Sequence, residues 1–297
     1  MGTFKKIFMI INPNAGMRKR VNVLQDIIDV FSDYNYETIV SYTRKSGDAS
    51  ELVKLHADDS IDLIVCMGGD GTLNETLSGA KEIGWEKPIG YIPAGSTNDF
   101  ASSLGLPSEP ECAAKQIMEG VPKRLDLGRF NGRTFVYTAS RGIFVKCSYE
   151  TPQKIKNRLG HLAYVLEGMK DITQFKPNHM EIDTGDEQFV GEFILTSICN
   201  TFSLGGVMHL AQEDVDLGDG WFEILMIRQP KDITQLNEII KALYEQNYNH
   251  ELVTLRKVKK ARIVCPDAED WSLDGEKGEG REVNEFEVIS GGIRLIY

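Results

Sequence analysis

The stretch Cys66-Met67-Gly68-Gly69-Asp70-Gly71-Thr72-Leu73-Asn74-Glu75 carries the clearest chemical signal in this chain. Three glycines in four positions let backbone N–H groups converge on one concavity and let an anion approach closely. A helix opening directly after them adds the partial positive charge of its N-terminus. Such a turn is suited to phosphate. It is not a Walker A loop, because no Lys-Ser/Thr pair ends it. It is not a dinucleotide fingerprint either, because Asn74 stands where a third glycine is needed. Taken alone, the same letters also fit a tight strand-to-helix turn capped by Asp70 or Thr72.

Two further loops have the same setting. Asn12-Pro13-Asn14-Ala15-Gly16 follows the apolar run Ile7–Ile11, and Pro93-Ala94-Gly95-Ser96-Thr97-Asn98-Asp99-Phe100 follows Ile89–Ile92. All three loops leave carboxyl ends of predicted strands, where open parallel sheets place ligands. Carboxylates recur in Leu125-Asp126-Leu127-Gly128, in Asp216-Leu217-Gly218-Asp219-Gly220-Trp221-Phe222 and in Leu273-Asp274-Gly275-Glu276. A carboxylate within reach of an alcohol accepts its proton during group transfer, and clustered Asp oxygens suit hard Mg²⁺. Without further context, Asp70 and Asp99 are also helix caps, and Gly275, Gly278 and Gly280 mark a solvated hairpin. The acidic spacing at 216–221 is too short and irregular for an EF-hand.

The elements that must position these groups fall into two sets. Over the first ~125 residues strand and helix signals alternate. Strands are predicted at Ile7–Ile11, Tyr36–Tyr42, Leu63–Cys66 and Ile89–Ile92, with helices around Leu24–Phe31, Ala49–Ala57 and Leu73–Ala80. The order predicts an open, doubly wound parallel sheet. Beyond it, Leu125–Phe130 and Thr134–Ala139 flank Asn131-Gly132, a strong hairpin signal. Further strands are expected at Phe189–Ile198, Trp221–Ile227, Ala261–Cys265 and Phe286–Ile289, and a last one at Ile293–Tyr297 after a Gly291-Gly292 turn. Helical insertions are expected near Lys154–Gln174 and Asp232–Gln246. The fold class is therefore α/β: a doubly wound N-terminal domain, residues 1–127, and a mainly antiparallel β-sandwich domain with helical insertions, residues 128–297.

Composition bounds the setting. Of 297 residues, 33 are Lys or Arg and 44 are Asp or Glu, giving −11, which argues against a general nucleic-acid binder. With 41% hydrophobic and 26% charged residues, disordered and collagen-like chains are excluded. The run Ile7–Ile11 is far short of the ~20 residues a bilayer crossing needs. No secretory signal is evident at the start. Five widely spaced cysteines form no C-x-x-C pair, and Cys66 and Cys199 sit in apolar runs as small buried hydrophobes. A soluble protein of the reducing cytoplasm is expected.

In their order from Asn12 to Glu276, these motifs resemble the bacterial soluble diacylglycerol kinase family, part of a superfamily that includes sphingosine and NAD kinases. The resemblance implies a two-domain fold with ATP in the cleft between the domains. It implies nucleotide contacts at Asn12, Pro13, Asn14, Ala15, Gly16, Thr43, Gly69, Asp70, Gly71, Thr72, Leu73, Asn74, Glu75 and Ser96. Glu276 would be the general base, with Asp70, Asn98 and Asp99 in the catalytic group. Asp70, Asp99 and Asp126 match acids that share a magnesium-and-water network in the family. A second metal position would use Asp219 and the backbone carbonyls of Asp216 and Trp221. The implied cofactors are ATP and Mg²⁺. The implied partners are a lipid substrate and a membrane surface touched peripherally, with homodimers known among relatives.

Two positions depart from the family pattern. Met17 stands where some relatives carry Lys after the first loop, and Glu167 stands at a Lys position that follows Gly160-His161-Leu162-Ala163-Tyr164. Arg18 or Lys170 could substitute by reaching across. A locally basic segment offers a membrane contact: Arg141, Lys146, Lys154, Lys156 and Arg158 stand against Glu150 alone. Two other readings remain open at this point. One is NAD kinase-like activity, and the other is a catalytically weak nucleotide-binding regulator.

Overall fold

The computed structural model describes residues 4–15, 23–95, 98–142, 176–201, 203–204, 208–209 and 217–297. The chain forms two compact units, one of Met1–Leu125 with Gly291–Tyr297 and the other of Asp126–Ser290. The C-terminal segment thus belongs to the first unit, although the sequence reading groups it with the second. The reason is local: Leu295 and Ile296 pair in parallel with Ile89 and Gly90, and both are buried there.

In the first unit, β1 (Lys5–Ile11), β2 (Tyr36–Tyr42), β3 (Leu63–Gly68) and β4 (Ile89–Pro93) form a parallel sheet in the order β4-β3-β1-β2. Helices α1 (Val23–Asp33) and α5 (Pro110–Glu119) cover one face. Ile27, Phe31, Ala113 and Ile117 pack there against Ile7, Met9, Val65 and Ile92. On the other face α2 (Asp48–His56) sets the His56 ring 5.2 Å from Phe8, beside α3 (Asp70–Glu82). A short α4 (Asp99–Ser103) precedes α5. Both faces being covered, β1 is unbroken apolar from Ile7 to Ile11, with Ile7–Ile10 fully buried. β2 at the edge alternates instead and leaves Ile39 and Tyr42 exposed.

The second unit takes up β5 (Pro122–Phe130) from Asp126 onward. It continues with β6 (Arg133–Phe135), β7 (Thr138–Gly142), β8 (Asn178–Asp183) and β9 (Gln188–Cys199). The short pair β10 (Ser203–Leu204) and β11 (Met208–His209) precedes β12 (Phe222–Arg228). β13 (Asn249–His250), β14 (Val253–Val258), β15 (Lys260–Val264), β16 (Trp271–Leu273), β17 (Glu276–Gly278) and β18 (Val283–Ile296), the last as far as Ser290, complete it. Its sheet is antiparallel in the order β13-β14-β12-β9-β8-β15-β18. β9 also pairs with β7, which carries β16 and then β17. The core gathers Phe130, Phe135, Phe193, Phe222, Trp271 and Phe286. Phe130 lies 4.7 Å from Trp271, and Phe135 meets Phe222 edge-on at 5.6 Å. Helix α6 (Ile233–Tyr244) starts where the Asp232 carboxylate accepts the Gln235 N–H, and it buries Leu236, Ile239 and Leu243.

Asn131-Gly132 makes the expected two-residue hairpin, with φ of 51° and 89° and Phe130 opposite Arg133. Two expectations fail. The predicted strand Thr134–Ala139 splits into β6 and β7, because the N–H groups of Val136, Tyr137 and Thr138 donate to the Asp274 carboxylate instead of extending one ladder. The predicted Gly291-Gly292 turn is also absent: β18 runs through it, with Gly291 at φ 57°. The expected helix at Lys154–Gln174 lies outside the described residues.

Candidate functional site

In the first unit β4, β3 and β1 are neighbours, so the loops that follow them leave from one line. The ladder continues one residue beyond the strands: the Asn12 N–H donates to the Met67 carbonyl at 2.9 Å, and the Ala94 N–H to the Gly68 carbonyl at 2.7 Å. The Thr43 N–H donates to the Ile11 carbonyl at 2.9 Å, which brings the end of β2 into the same row. A methyl group at Gly95 would stand 2.6 Å from the Gly69 Cα and 2.7 Å from the Asn98 Oδ1. Only glycine fits. Asn98 then closes its loop: Oδ1 accepts the Gly95 N–H and Nδ2 donates to the Gly95 carbonyl, each at 2.9 Å.

The expected caps are not where the sequence places them. α3 begins at Asp70 behind an extended Gly69, and α4 begins at Asp99 behind Asn98 at φ 52°; neither start has a side-chain cap. Glycine serves as N-cap at little cost, so Asp70 and Thr72 are freed for other partners. Asp70 Oδ1 lies 3.3 Å from the Tyr91 hydroxyl, which is the same distance from the Gly68 carbonyl. Burial, with Asp70 nearby, drives that phenol well above its ordinary pKa, so it stays a proton donor. Thr72 Oγ1 accepts from Asn12 Nδ2 at 3.1 Å, which links the first and second loops directly. The loops after β1 and β4 thus meet the start of α3, through Asn12 on Thr72 and Gly95 against Gly69, and no side chain caps that helix.

Other residues of the expected nucleotide set divide by what their side chains do. Pro13 and Asn14 are exposed, and the Asn14 N–H donates to Asn12 Oδ1. Ala15 and Gly71 are half-buried, and Thr43 is buried. Leu73 packs in the interior, and the Asn74 side chain accepts from the Ser78 hydroxyl. Glu75 turns away to the start of α2, where it accepts from the Gly47 N–H at 2.7 Å, the Ala49 N–H at 3.2 Å and the Ser46 hydroxyl at 3.1 Å. Its carboxylate caps that helix. Gly16, Ser96 and the side chain of Asp99 lie outside the described residues, as do Met17, Glu167 and the 160–164 motif.

In the second unit Asp274-Gly275 is a two-residue hairpin turn with φ of 51° and 84°, and Glu276 opens β17 opposite Leu273. Glu276 is 41% exposed at its side chain, and its Oε2 receives Arg133 Nη2 at 2.6 Å. Arg133 Nη1 donates to the Lys277 carbonyl at 2.7 Å. The acid is thus presented to solvent and oriented by a guanidinium. Arg133 and Asp274 had no role in the sequence reading, since their partners lie more than a hundred positions away. The one available signal was that Arg133 directly follows a hairpin turn.

Asp126 and the loop at 217–221 come together within this unit. Asp126 is fully buried, its N–H donates to the Leu217 carbonyl, and its Oδ2 accepts the Gly220 N–H at 2.6 Å. Asp219 Oδ1 accepts the Trp221 N–H, and its Oδ2 meets Lys257 Nζ at 3.1 Å. The cation next to Asp219 is therefore an ammonium. Among the described residues no group of three or more His, Cys, Asp or Glu is arranged to hold a metal. Of the expected metal ligands here, Asp216 lies outside the described residues.

Two further expectations meet the structure here. Arg141, one of the five basic residues assigned to membrane contact, is buried at 2% exposure. Its guanidinium pairs with Asp267 at 2.5 Å and donates to Asn178 Oδ1. It offers no surface charge; the other four lie outside the described residues. Cys66 and Cys199 are buried as expected, and burial pushes the Cys66 thiol up to about 12. No described helix is long and apolar enough to cross a membrane.

Comparison with known proteins gives this arrangement its class. Residues 6–130 match the family model of the diacylglycerol kinase catalytic domain, and residues 141–297 match that of the YegS C-terminal NAD kinase beta sandwich-like domain. A diacylglycerol kinase of Bacillus subtilis (strain 168) is 33% identical over 92% of this chain and 90% of its own length. One of Staphylococcus saprophyticus is 32% identical over the same shares. A crystal structure of a diacylglycerol kinase from Bacillus anthracis str. Sterne superposes with a TM-score of 0.76 at 22% identity, covering 100% of this chain and 98% of that one. At that identity it speaks for the fold alone. The fold and motifs are those of a kinase built from an α/β unit and a β unit. The chain belongs to the diacylglycerol kinase family of lipid kinases.

Proposed function

We propose that this chain transfers the γ-phosphoryl group of ATP to the free hydroxyl of diacylglycerol, with Glu276 as the general base. The observation that carries the reading is the convergence of the loops after β1, β3 and β4 on the uncapped start of α3, where Gly95 and Gly69 touch backbone to backbone. Phosphoryl transfer asks a protein mainly to position its donor and to neutralise spreading charge, and such a cradle supports both. In the step itself the acceptor oxygen bonds to the γ-phosphorus and the bond from that phosphorus to the β,γ-bridging oxygen breaks. ADP leaves, and the hydroxyl proton passes to Glu276. Arg133 holds one carboxylate oxygen, and the other is the one available to the acceptor.

Asp70 beside a triphosphate is like charge on like, so a cation belongs in this reading. Mg²⁺ is usually held by one or two carboxylates together with substrate phosphates, and Asp70, oriented by Tyr91, supplies one. When bound, the ion would neutralise charge on the phosphates. The acceptor resides in a bilayer, so the reading includes peripheral contact with a membrane surface.

The test uses radiolabelled ATP with a panel of diacylglycerol, a long-chain base and NAD. Labelled phosphatidic acid is expected. Glu276→Gln should lower turnover by about 10²–10⁴-fold while calorimetric ATP affinity is unchanged, because the substitution removes the base and leaves the cradle. NADP as the main product, or no labelled lipid at all, would overturn the reading.

A further inference from the structure

We propose that Asp274 is a positioning residue for Glu276: its buried carboxylate sets where the backbone of the catalytic base lies. This rests on the assignment of Glu276 as base. Asp274 is 4% exposed, two residues before Glu276, and fixed from several sides. Its Oδ2 accepts the Val136 N–H at 2.7 Å, and its Oδ1 accepts the N–H groups of Tyr137 and Thr138, each at 2.9 Å. Its own N–H donates to the Thr138 carbonyl at 2.8 Å.

Three chemical arguments converge on this role. A buried carboxylate is costly unless its lone pairs are met, and three charge-assisted backbone bonds meet them. Asp274 holds φ at 51°, a left-handed conformation that a non-glycine residue keeps when its surroundings over-determine it. The hairpin it turns is weakly anchored by strand pairing: β16 and β17 are three residues each, and β16 adds only a two-residue ladder to β7.

The same segment grips the hairpin a second time. Arg133 reaches both the Lys277 carbonyl and the Glu276 carboxylate, and Val136–Thr138 follow it directly in the chain. Residues 133–138 therefore hold positions 274, 276 and 277 together. The Asp274 oxygens accept three N–H groups of the segment that follows Arg133, so the residue acts by placing the hairpin that carries Glu276. Asparagine cannot replace it. Its amide nitrogen would confront either the Val136 N–H or the Tyr137 and Thr138 pair, donor against donor.

The experiment compares wild type, D274N, E276Q and the double variant as full-length chains, with rates normalised to folded protein. D274N is expected to lower kcat by about 10–100-fold, as a misplacement near 1 Å does, with KM for ATP within about twofold. In the E276Q background D274N should change the residual rate less than about twofold, since no base is left to position. A merely structural residue would lower both backgrounds alike, and that result, or full activity of D274N, overturns the proposal. Retained turnover of E276Q would instead remove Glu276 as base, and the proposal with it. Should D274N fail to fold, amide exchange in wild type decides. The Val136, Tyr137 and Thr138 amides should be strongly protected, and exchange as fast as in the exposed Thr184–Glu187 turn refutes the clamp.

Discussion

In the first unit, the groups around α3 are held mostly by main chain against main chain, with Asn12 and Asn98 closing their loops by side chain. Asn12 and Ala94 extend the strand ladder, and Gly69 meets Gly95 at the distance where a single methyl would intrude. In the second unit the hairpin bearing Glu276 pairs by main chain with β7 and is held further by side chains against main chain. Asp274 reaches the amides of Val136–Thr138, and Arg133 reaches the Lys277 carbonyl. The difference suits the proposed reaction. A triphosphate is recognised by converging N–H groups, which parallel strand ends supply regardless of side chain. A general base is one side chain, and aiming it on a short hairpin takes other side chains.

Substitutions in each region test that contrast. Gly95→Val should have the largest effect: a side chain there displaces the Gly69 backbone, and ATP affinity should fall by roughly 100-fold or more in calorimetry. Unchanged affinity would mean that the close approach plays no part in binding. Trp271→Ala empties a fully buried site against Phe130 and should cost about 3–5 kcal/mol in urea unfolding of the second unit. Turnover should fall with it, while ATP affinity of the folded fraction should stay within about twofold.

Glu75→Gln separates a cap from a ligand contact. Losing the charged acceptor of the Gly47 and Ala49 amides should cost about 1–2 kcal/mol of stability, with ATP affinity shifted less than about threefold. A larger affinity loss at constant stability would place the carboxylate on the nucleotide. Arg133→Gln is the mildest. Its ion pair with Glu276 is nearly half exposed, so stability should change by no more than about 1 kcal/mol, while kcat should drop several-fold. Unaltered kcat would show that the guanidinium does not orient the base.

The first unit was largely legible. Ile7–Ile11 announces a strand covered on both faces, and β2 is observed from Tyr36 to Tyr42 as expected. The roles of side chains within its motifs were less so. Asp70 lies one residue inside its helix and not at the cap, because glycine can take the cap position. Glu75 belongs to α2, a partner that its own motif does not reveal. In the second unit the Asn131-Gly132 hairpin was readable from two letters, whereas the break between β6 and β7 depends on a carboxylate more than 130 positions downstream.

Taken by itself, the sequence determined the alternation of strands and helices, the glycine-rich turns at strand ends and the family to which they belong. These rest on local spacing and on backbone freedom at a few residues. Only the tertiary structure decided which carboxylates cap, which pair with cations and which clamp a distant loop. It also decided that Leu295 and Ile296 return to the first sheet. Those outcomes depend on burial and on hydrogen bonds between residues far apart in the chain, and neither is encoded in the order of neighbours.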